Sequence, residues 1–117
     1  MIQGTSAPLS ALKAHGIALG VGANNIANAS TPGFKRDRVI MTETPPVGVR
    51  ATIAKDFSPG YQIPEHEGKG VHLVEMSNVD YGRELVDIMM VSRLYEANLR
   101  TLADQDELVG SLLDIKK

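Results

Sequence analysis

From Met1 to Phe34 the chain carries one formal charge, Lys13, among small and apolar residues. A helix on the surface of a monomer needs a wet face, and that face is normally charged. A helix built from this stretch has almost none, so it is expected to be covered on most sides. Assembly follows from this feature more directly than from any other in the chain. With two Phe, three Tyr and no Trp in 117 residues, large anchors for a compact core are few.

The expected first helix opens with Thr5 or Ser6 as its cap and takes Pro8 in its first turn. Leu9, Leu12, Gly16, Leu19, Ala23 and Ile26 follow alternating steps of three and four, the seam of one helix lying along another. Gly16, Gly20 and Gly22 each cost about 1 kcal/mol relative to Ala, so the helix folds mostly by docking. These glycines read either as points of close backbone approach or as plain flexibility. Asn24-Asn25-Ile26-Ala27-Asn28-Ala29-Ser30-Thr31-Pro32-Gly33-Phe34-Lys35 then closes the helix. Asn28 tolerates the left-handed conformation, Thr31 precedes a proline, and Pro32-Gly33 suits the centre of a type II turn. The asparagines read as caps and turn shapers, a role compatible with bonding to an adjacent subunit.

The middle reads as short extended pieces between turn residues. Strands are expected over 38–44, 49–57 and 71–76, with a polar loop over 64–70. Three short strands make little domain by themselves and need the helices or neighbouring subunits to cover a face.

A second, longer helix is expected from about Val79, capped by Asn78 or Asp80. One seam runs Leu85, Ile88, Ser92, Tyr95, Leu99, Leu102, Asp106, Val109, Leu113. The other runs Val91, Leu94, Asn98, Thr101, Gln105, Leu108, Leu112, Ile115. Side by side they form an apolar sector wider than one partner helix requires. One seam is expected to hold the first helix and the other to hold another chain. Gln105 and Asp106 are polar seam positions that can fix register. The pairs Glu96/Arg100 and Arg100/Asp104 read as a solvated face.

The fold class follows: mainly α with a small β part, an antiparallel two-helix coiled coil of the N- and C-terminal helices with a small middle β segment. The expected segments are 1–34 and 78–117 for the paired helices and 35–77 for the middle.

Several function classes lack support. Without Cys there is neither a disulfide nor a thiolate site. A net charge of −2 argues against nucleic acid as a partner. No run is long enough for a membrane span, and the first residues lack the pattern of a cleavable signal peptide. His66-Glu67 lacks the second His of a zinc helix, Gly20-x-Gly22 does not follow a strand, and no serine sits in a nucleophile elbow. No catalytic residue, cofactor site or metal site is expected. Lys35-Arg36-Asp37-Arg38 reads either as a match for an acidic neighbouring surface or as a solubilising tip.

Two blocks of sequence carry a family resemblance. Ala11-Leu12 through Ile26-Ala27-Asn28, followed by Thr31-Pro32-Gly33-Phe34-Lys35-Arg36, form the first. Met76-Ser77-Asn78-Val79-Asp80, Glu84-Leu85-Val86, Arg93-Leu94-Tyr95-Glu96-Ala97-Asn98 and Asp106-Glu107-Leu108 form the second. Together, in this order and at opposite ends, they resemble the axial proteins of the bacterial flagellum: rod, hook and hook-associated subunits. Gly48-Val49-Arg50 and Met76-Ser77-Asn78-Val79 are most like the proximal rod type, here in a short form. The Thr31–Phe34 turn is more like that of distal rod and hook proteins.

The resemblance implies a structural subunit of the basal-body rod. Its terminal helices would pair inside a helical tube that transmits torque and encloses the export channel. It also implies a periplasmic rod location reached through the flagellum's own export apparatus. The implied partners are copies of the chain, other rod proteins and, in transit, that apparatus, with neither nucleic acid nor membrane insertion. The residues expected at interfaces are Leu12, Leu19, Asn25, Ile26, Asn28, Pro32, Gly33 and Phe34 near the N-terminus. On the second helix they are Leu85, Ile88, Tyr95, Asn98, Leu99, Leu102, Leu108 and Leu112. Two rivals stand beside this reading: a soluble adaptor or export chaperone for flagellar subunits, and a small enzyme using His66, His72 and nearby carboxylates.

Overall fold

The computed structural model describes residues 2–116, with side chains from residue 4 onward. Met1 and Lys117, the outer bounds of the expected helical segments, lie outside the described residues. Six elements follow in order: α1 (Ile2–Ala27), β1 (Asp37–Glu43), β2 (Val49–Lys55), β3 (Gln62–Glu67), β4 (Gly70–Glu75) and α2 (Tyr81–Ile115). The helices pack together and the fold is mainly helical with a small β part, as expected. They run antiparallel: Gly22, late in α1, sits against Ile88, early in α2. Ala7 and Pro8 line a cleft with Asn98, Thr101 and Gln105, much further along α2.

The molecule measures 85 × 24 × 16 Å. Among the described residues, Pro8, Leu12, Ala14 and Met76 are the buried apolar side chains. A shape this narrow leaves much of the apolar surface of both helices in solvent.

α1 starts before the expected cap. Thr5 and Ser6 lie inside the helix, and so does Pro8. Pro8 lacks the N–H that would bond to the Gly4 carbonyl. That loss falls near the helix start and is offset by packing, since Pro8 is buried beside α2 and the start of β2. The helix end also differs in detail. Asn28 is not left-handed, because no residue other than glycine has a positive φ among the described residues. Its side chain caps instead: Nδ2 donates to the Asn24 carbonyl at 3.0 Å, and Oδ1 accepts from the Thr31 hydroxyl at 3.1 Å.

The type II turn is present. The Phe34 N–H donates to the Thr31 carbonyl at 3.2 Å, and Gly33 has φ 73°. Pro32 holds its own φ negative, so only the second central residue is positive, which defines type II.

Both helical seams are rotated from their expected positions. On α1 the covered residues form two rows: Pro8, Leu12, His15, Leu19, Gly22, Ile26 and Ala11, Ala14, Ala18, Val21, Asn25. The first row, through Gly22, meets α2; the second, through Asn25, meets β1. Leu9, Gly16 and Ala23 of the expected seam are exposed. On α2 the covered row is Glu84, Ile88, Val91, Tyr95, Asn98, Leu102, Gln105, Val109, a regular four-three alternation. It draws alternate members from both expected seams. A single narrow partner takes the strip between two apolar rows and leaves the outer half of each row bare. Asp80, not Asn78, caps α2, with its carboxylate accepting from the Arg83 N–H at 3.2 Å.

The middle holds four strands in two separate antiparallel hairpins, not three in one segment. β1 and β2 pair from Asp37↔Lys55 to Glu43↔Val49, close to the expected bounds. β2 ends at Lys55 because Asp56 Oδ1 accepts from the Ser58 N–H at 3.0 Å, an Asx turn that bends the chain away.

The expected loop over 64–70 is the strand β3 and its turn. Gly68 at φ 62°, followed by Lys69 without a positive φ, makes a two-residue type II′ hairpin. Counting from the closing pair Glu67↔Gly70, Pro64↔Leu73 falls on a pair that exchanges no ladder bonds. Proline therefore costs this ladder nothing. β3 is exposed along its whole length, so it shows no apolar alternation for a reader to find. α1 covers the β1–β2 hairpin, whereas the β3–β4 hairpin projects without touching either helix.

Candidate assembly interface

The helices and the first hairpin are tied at one polar junction. Asn25 is 1% exposed, and its amide pairs with the Asp37 backbone. Nδ2 donates to the Asp37 carbonyl at 2.8 Å, and Oδ1 accepts the Asp37 N–H at 2.9 Å. An asparagine side chain has the same donor and acceptor as a peptide unit, so Asn25 extends the strand ladder into α1.

Asn78 does the same work from the other end of the chain. Its Oδ1 accepts from the Arg36 N–H at 2.7 Å, and its Nδ2 donates to the carbonyls of Asp56 and Ser58 at 2.8 and 2.9 Å. Ion pairs surround it. Arg36 Nε lies 3.0 Å from Asp56 and its guanidinium 3.7 Å from the buried Glu84 of α2. Lys35 pairs with Glu75 and donates to the Ser58 carbonyl at 3.0 Å. Lys55 pairs with Asp37 at 3.0 Å and lies 5.7 Å from the centre of the Phe34 ring. Lys35, Arg36 and Asp37 are thus committed inside the chain, and neither expected use of the cluster describes them. Arg38 alone of the four faces solvent.

These contacts set the local acidities. Hydrogen bonds from the Ser58 hydroxyl and N–H, and then Arg36, lower the Asp56 carboxyl to about 2 from its ordinary 3.8. Lys35 and the Gly60 N–H lower that of Glu75.

Two glycines permit close approach at the junction. A Cβ on Gly60 would stand 1.9 Å from the Met76 carbonyl oxygen, and one on Gly22 would stand 2.8 Å from Ile88 Cγ1. Of the two readings left open for the glycines, close approach describes Gly22. Gly16 and Gly20 have open space around them.

The expected interface residues divide into three groups. Leu12, Leu19, Ile26, Ile88, Tyr95, Asn98 and Leu102 lie on the covered strips of the helix pair. Asn25, Asn28, Pro32, Gly33 and Phe34 build the helix end and the junction, with Pro32 and Gly33 exposed. Leu85, Leu99, Leu108 and Leu112 stand outside; Leu108 and Leu112 are 64% and 57% exposed. Leu94, Leu113 and Ile115 on α2, and Leu9 and Ile17 on α1, are exposed as well.

Gly60, Asn78, Glu84 and Ser77, which is 1% exposed and whose hydroxyl accepts from the Val79 N–H at 3.2 Å, carry no expected organising role in the sequence reading. The Met76-Ser77-Asn78-Val79-Asp80 block held the signal for two of them, but periodicity gives no weight to a loop asparagine. His66 and His72, the residues of the enzyme reading, are exposed on opposite faces of the β3–β4 hairpin. His72 lies 3.6 Å from Glu65. No helix among the described residues is long and apolar enough to cross a membrane.

Comparison with known families finds a match at each end of the chain. Residues 8–35 match the family described as Flagella basal body rod protein. Residues 72–115 match Flagellar basal body rod FlgEFG protein C-terminal. No curated protein matches the chain. The two matched segments cover most of α1 with its closing turn, most of β4 and the whole of α2, and so include both members of the helix pair. By these two matches the chain belongs to the flagellar basal body rod family and is a structural component of the basal body.

Proposed function

We propose that the protein is a building subunit of the rod, assembling through its terminal helices into a helical tube that transmits torque and encloses the export channel. The observation that carries this reading is the uncovered apolar surface along both helices. Leu85, Leu94, Leu99, Leu108, Leu112 and Leu113 on α2 form exposed flanks beside the covered strip. Large exposed apolar side chains gathered along the helix flanks mark an interaction surface, and neighbouring subunits would bury them.

Folding and assembly are coupled in this reading. α1 has glycines at 16, 20 and 22 and one charge, so it gains order as its surfaces meet those of neighbours. Single contacts are weak, and many lateral contacts together hold the tube. The partners are copies of the chain, other rod proteins and the export apparatus in transit. The location is the periplasmic part of the basal body. Gly48-Val49-Arg50 and Met76-Ser77-Asn78-Val79 support a proximal position along the rod; neither matched description names that type.

Quantitative mass spectrometry of purified hook–basal bodies tests the reading. The expected result is a fixed, multi-copy ratio of this chain to ring and hook proteins. Absence there, with abundance in the soluble fraction, would replace the rod reading with the adaptor reading.

A further inference from the structure

The helix pair is unequal, and its two ends differ in charge and shape. Gly4, the first α1 residue with a described side-chain environment, shares a cleft with Gln105 of α2. The last turns of α2 continue past it and expose Leu108, Leu112, Leu113 and Ile115. From Asp104 to Ile115 there are four carboxylates (Asp104, Asp106, Glu107, Asp114) and no cation. The tail of α2 is therefore an acidic helix with an unpartnered leucine edge.

The other end of the pair presents the reverse. A cleft of about 330 Å³ opens between α1, β1 and the first turns of α2. Met41, Met90, Ile88 and Val91 line it, and Arg38 and Arg83 stand among its lining residues. Neither arginine makes an ion pair among the described residues, whereas Arg36 is committed to Asp56 and Glu84. Asp87 is the one lining carboxylate besides the paired Asp37 and Glu84. Flexible methionine side chains suit such a cleft to an inserted leucine edge.

We propose that the acidic, leucine-bearing tail of α2 in one copy seats in the Arg38–Arg83 cleft of the next copy. This rests on the assembly reading above and names the surfaces by which successive copies join. Charge complementarity selects the occupant: Asp104, one turn before Leu108 on the same face, and Glu107 approach the free arginines while Leu108 and Leu112 enter between the methionines. It is recognition of a helix by a groove, with leucines as anchors. Leu108 of the tail stands 18 residues beyond Met90 of the cleft on the same helix, about 27 Å at 1.5 Å per residue. One molecule cannot satisfy both. Repeated head-to-tail without closing, such a heterologous contact extends into a filament, as a rod requires.

The natural chain has no Cys, which allows a clean cross-linking test. The full chain carrying both Met90→Cys and Leu112→Cys is expressed in the native organism, and hook–basal bodies are purified under oxidising conditions. The expected result is a ladder of covalent multimers of this chain, absent from either single variant. A second test reverses charge. Asp104→Lys with Glu107→Lys, or Arg38→Glu with Arg83→Glu, weakens multimer formation by at least about tenfold, and combining the four substitutions restores it.

Incorporation of the double-cysteine chain into basal bodies without a ladder overturns the inference and leaves the rod reading intact. So does a cross-link from Leu112→Cys to a different polypeptide, or a combined charge variant no better than its parents. Loss of the unsubstituted chain from basal bodies overturns the rod reading itself.

Discussion

The side chain of Asn25 and the backbone of Asp37 exchange two hydrogen bonds, at 2.8 and 2.9 Å, in a site that is 1% exposed. One residue thereby fixes the end of α1 to the first strand. Asn25→Ala leaves a buried N–H and a buried carbonyl without partners, at about 1–3 kcal/mol each. The expected outcome is a loss of roughly 2–5 kcal/mol in urea unfolding followed by far-ultraviolet circular dichroism. A loss under 1 kcal/mol would show that water replaces the amide.

Gly60 and Gly22 differ in what opposes them, and so do the expected costs of adding a methyl group. At Gly60 the obstacle is backbone, the Met76 carbonyl, and Gly60→Ala shifts the chain itself. At Gly22 the obstacle is Ile88 Cγ1, and the overpacking penalty of about 1–3 kcal/mol is partly offset by about 1 kcal/mol of helix propensity. Gly60→Ala is therefore the more damaging change. Ile88→Ala made together with Gly22→Ala removes the clash, so the pair loses less stability than the sum of the single changes. Thermal unfolding of all four variants ranks them.

The turn at Gly33 depends on backbone conformation and not on space. No atom stands within 4 Å of a Cβ built there, but φ is 73°. Gly33→Asn, which tolerates this region, costs less than Gly33→Val, which does not. Equal stability and equal incorporation of the two variants into basal bodies would mean the turn rearranges.

Acid should loosen the junction. The folded chain holds the Asp56 carboxyl near 2, below its ordinary 3.8, and lowers that of Glu75. A carboxyl lowered on folding contributes stability above its unfolded pKa and loses it as pH falls through the folded value. For Asp56 the loss lies between about pH 4 and pH 2. Ser58→Ala removes the largest cause and should raise the Asp56 pKa in a carboxyl-detected NMR titration. An unchanged titration would place the hydrogen bond outside the solution ensemble.

Leu102 and Leu99 separate folding from assembly. Leu102 lies on the covered strip of α2, whereas Leu99 stands 45% exposed on its flank. Leu102→Asp places a charge between the helices and reduces helicity of the isolated chain. Leu99→Asp and Leu108→Asp keep the monomer's circular dichroism and abolish swimming. Normal motility of both outer variants would contradict burial of these flanks in the rod.

Much of the helix pair was legible because it depends on local spacing. The stretch to Phe34 with its single charge, the long apolar sector of α2 and the Pro32-Gly33 turn each announce themselves through neighbours in sequence. The face of each helix that meets its partner was not legible. Leu85 and Ile88 stand three residues apart in one expected seam, yet Ile88 packs against Gly22 while Leu85 is 40% exposed. When apolar residues exceed what one partner can cover, spacing leaves the choice between adjacent strips open.

The sequence by itself determined that the chain forms two helices with too much apolar surface for one small monomer, joined by short strands. Charge, glycine and proline placement act within a few residues, so they can be read there. Only the tertiary structure decided the rotation of the helices, the pairing of β3 with β4 and the meeting of Asn25 with Asp37 and of Asn78 with Arg36. The two asparagine contacts join residues 12 and 42 positions apart, where packing and the need to pair buried polar groups select the contact.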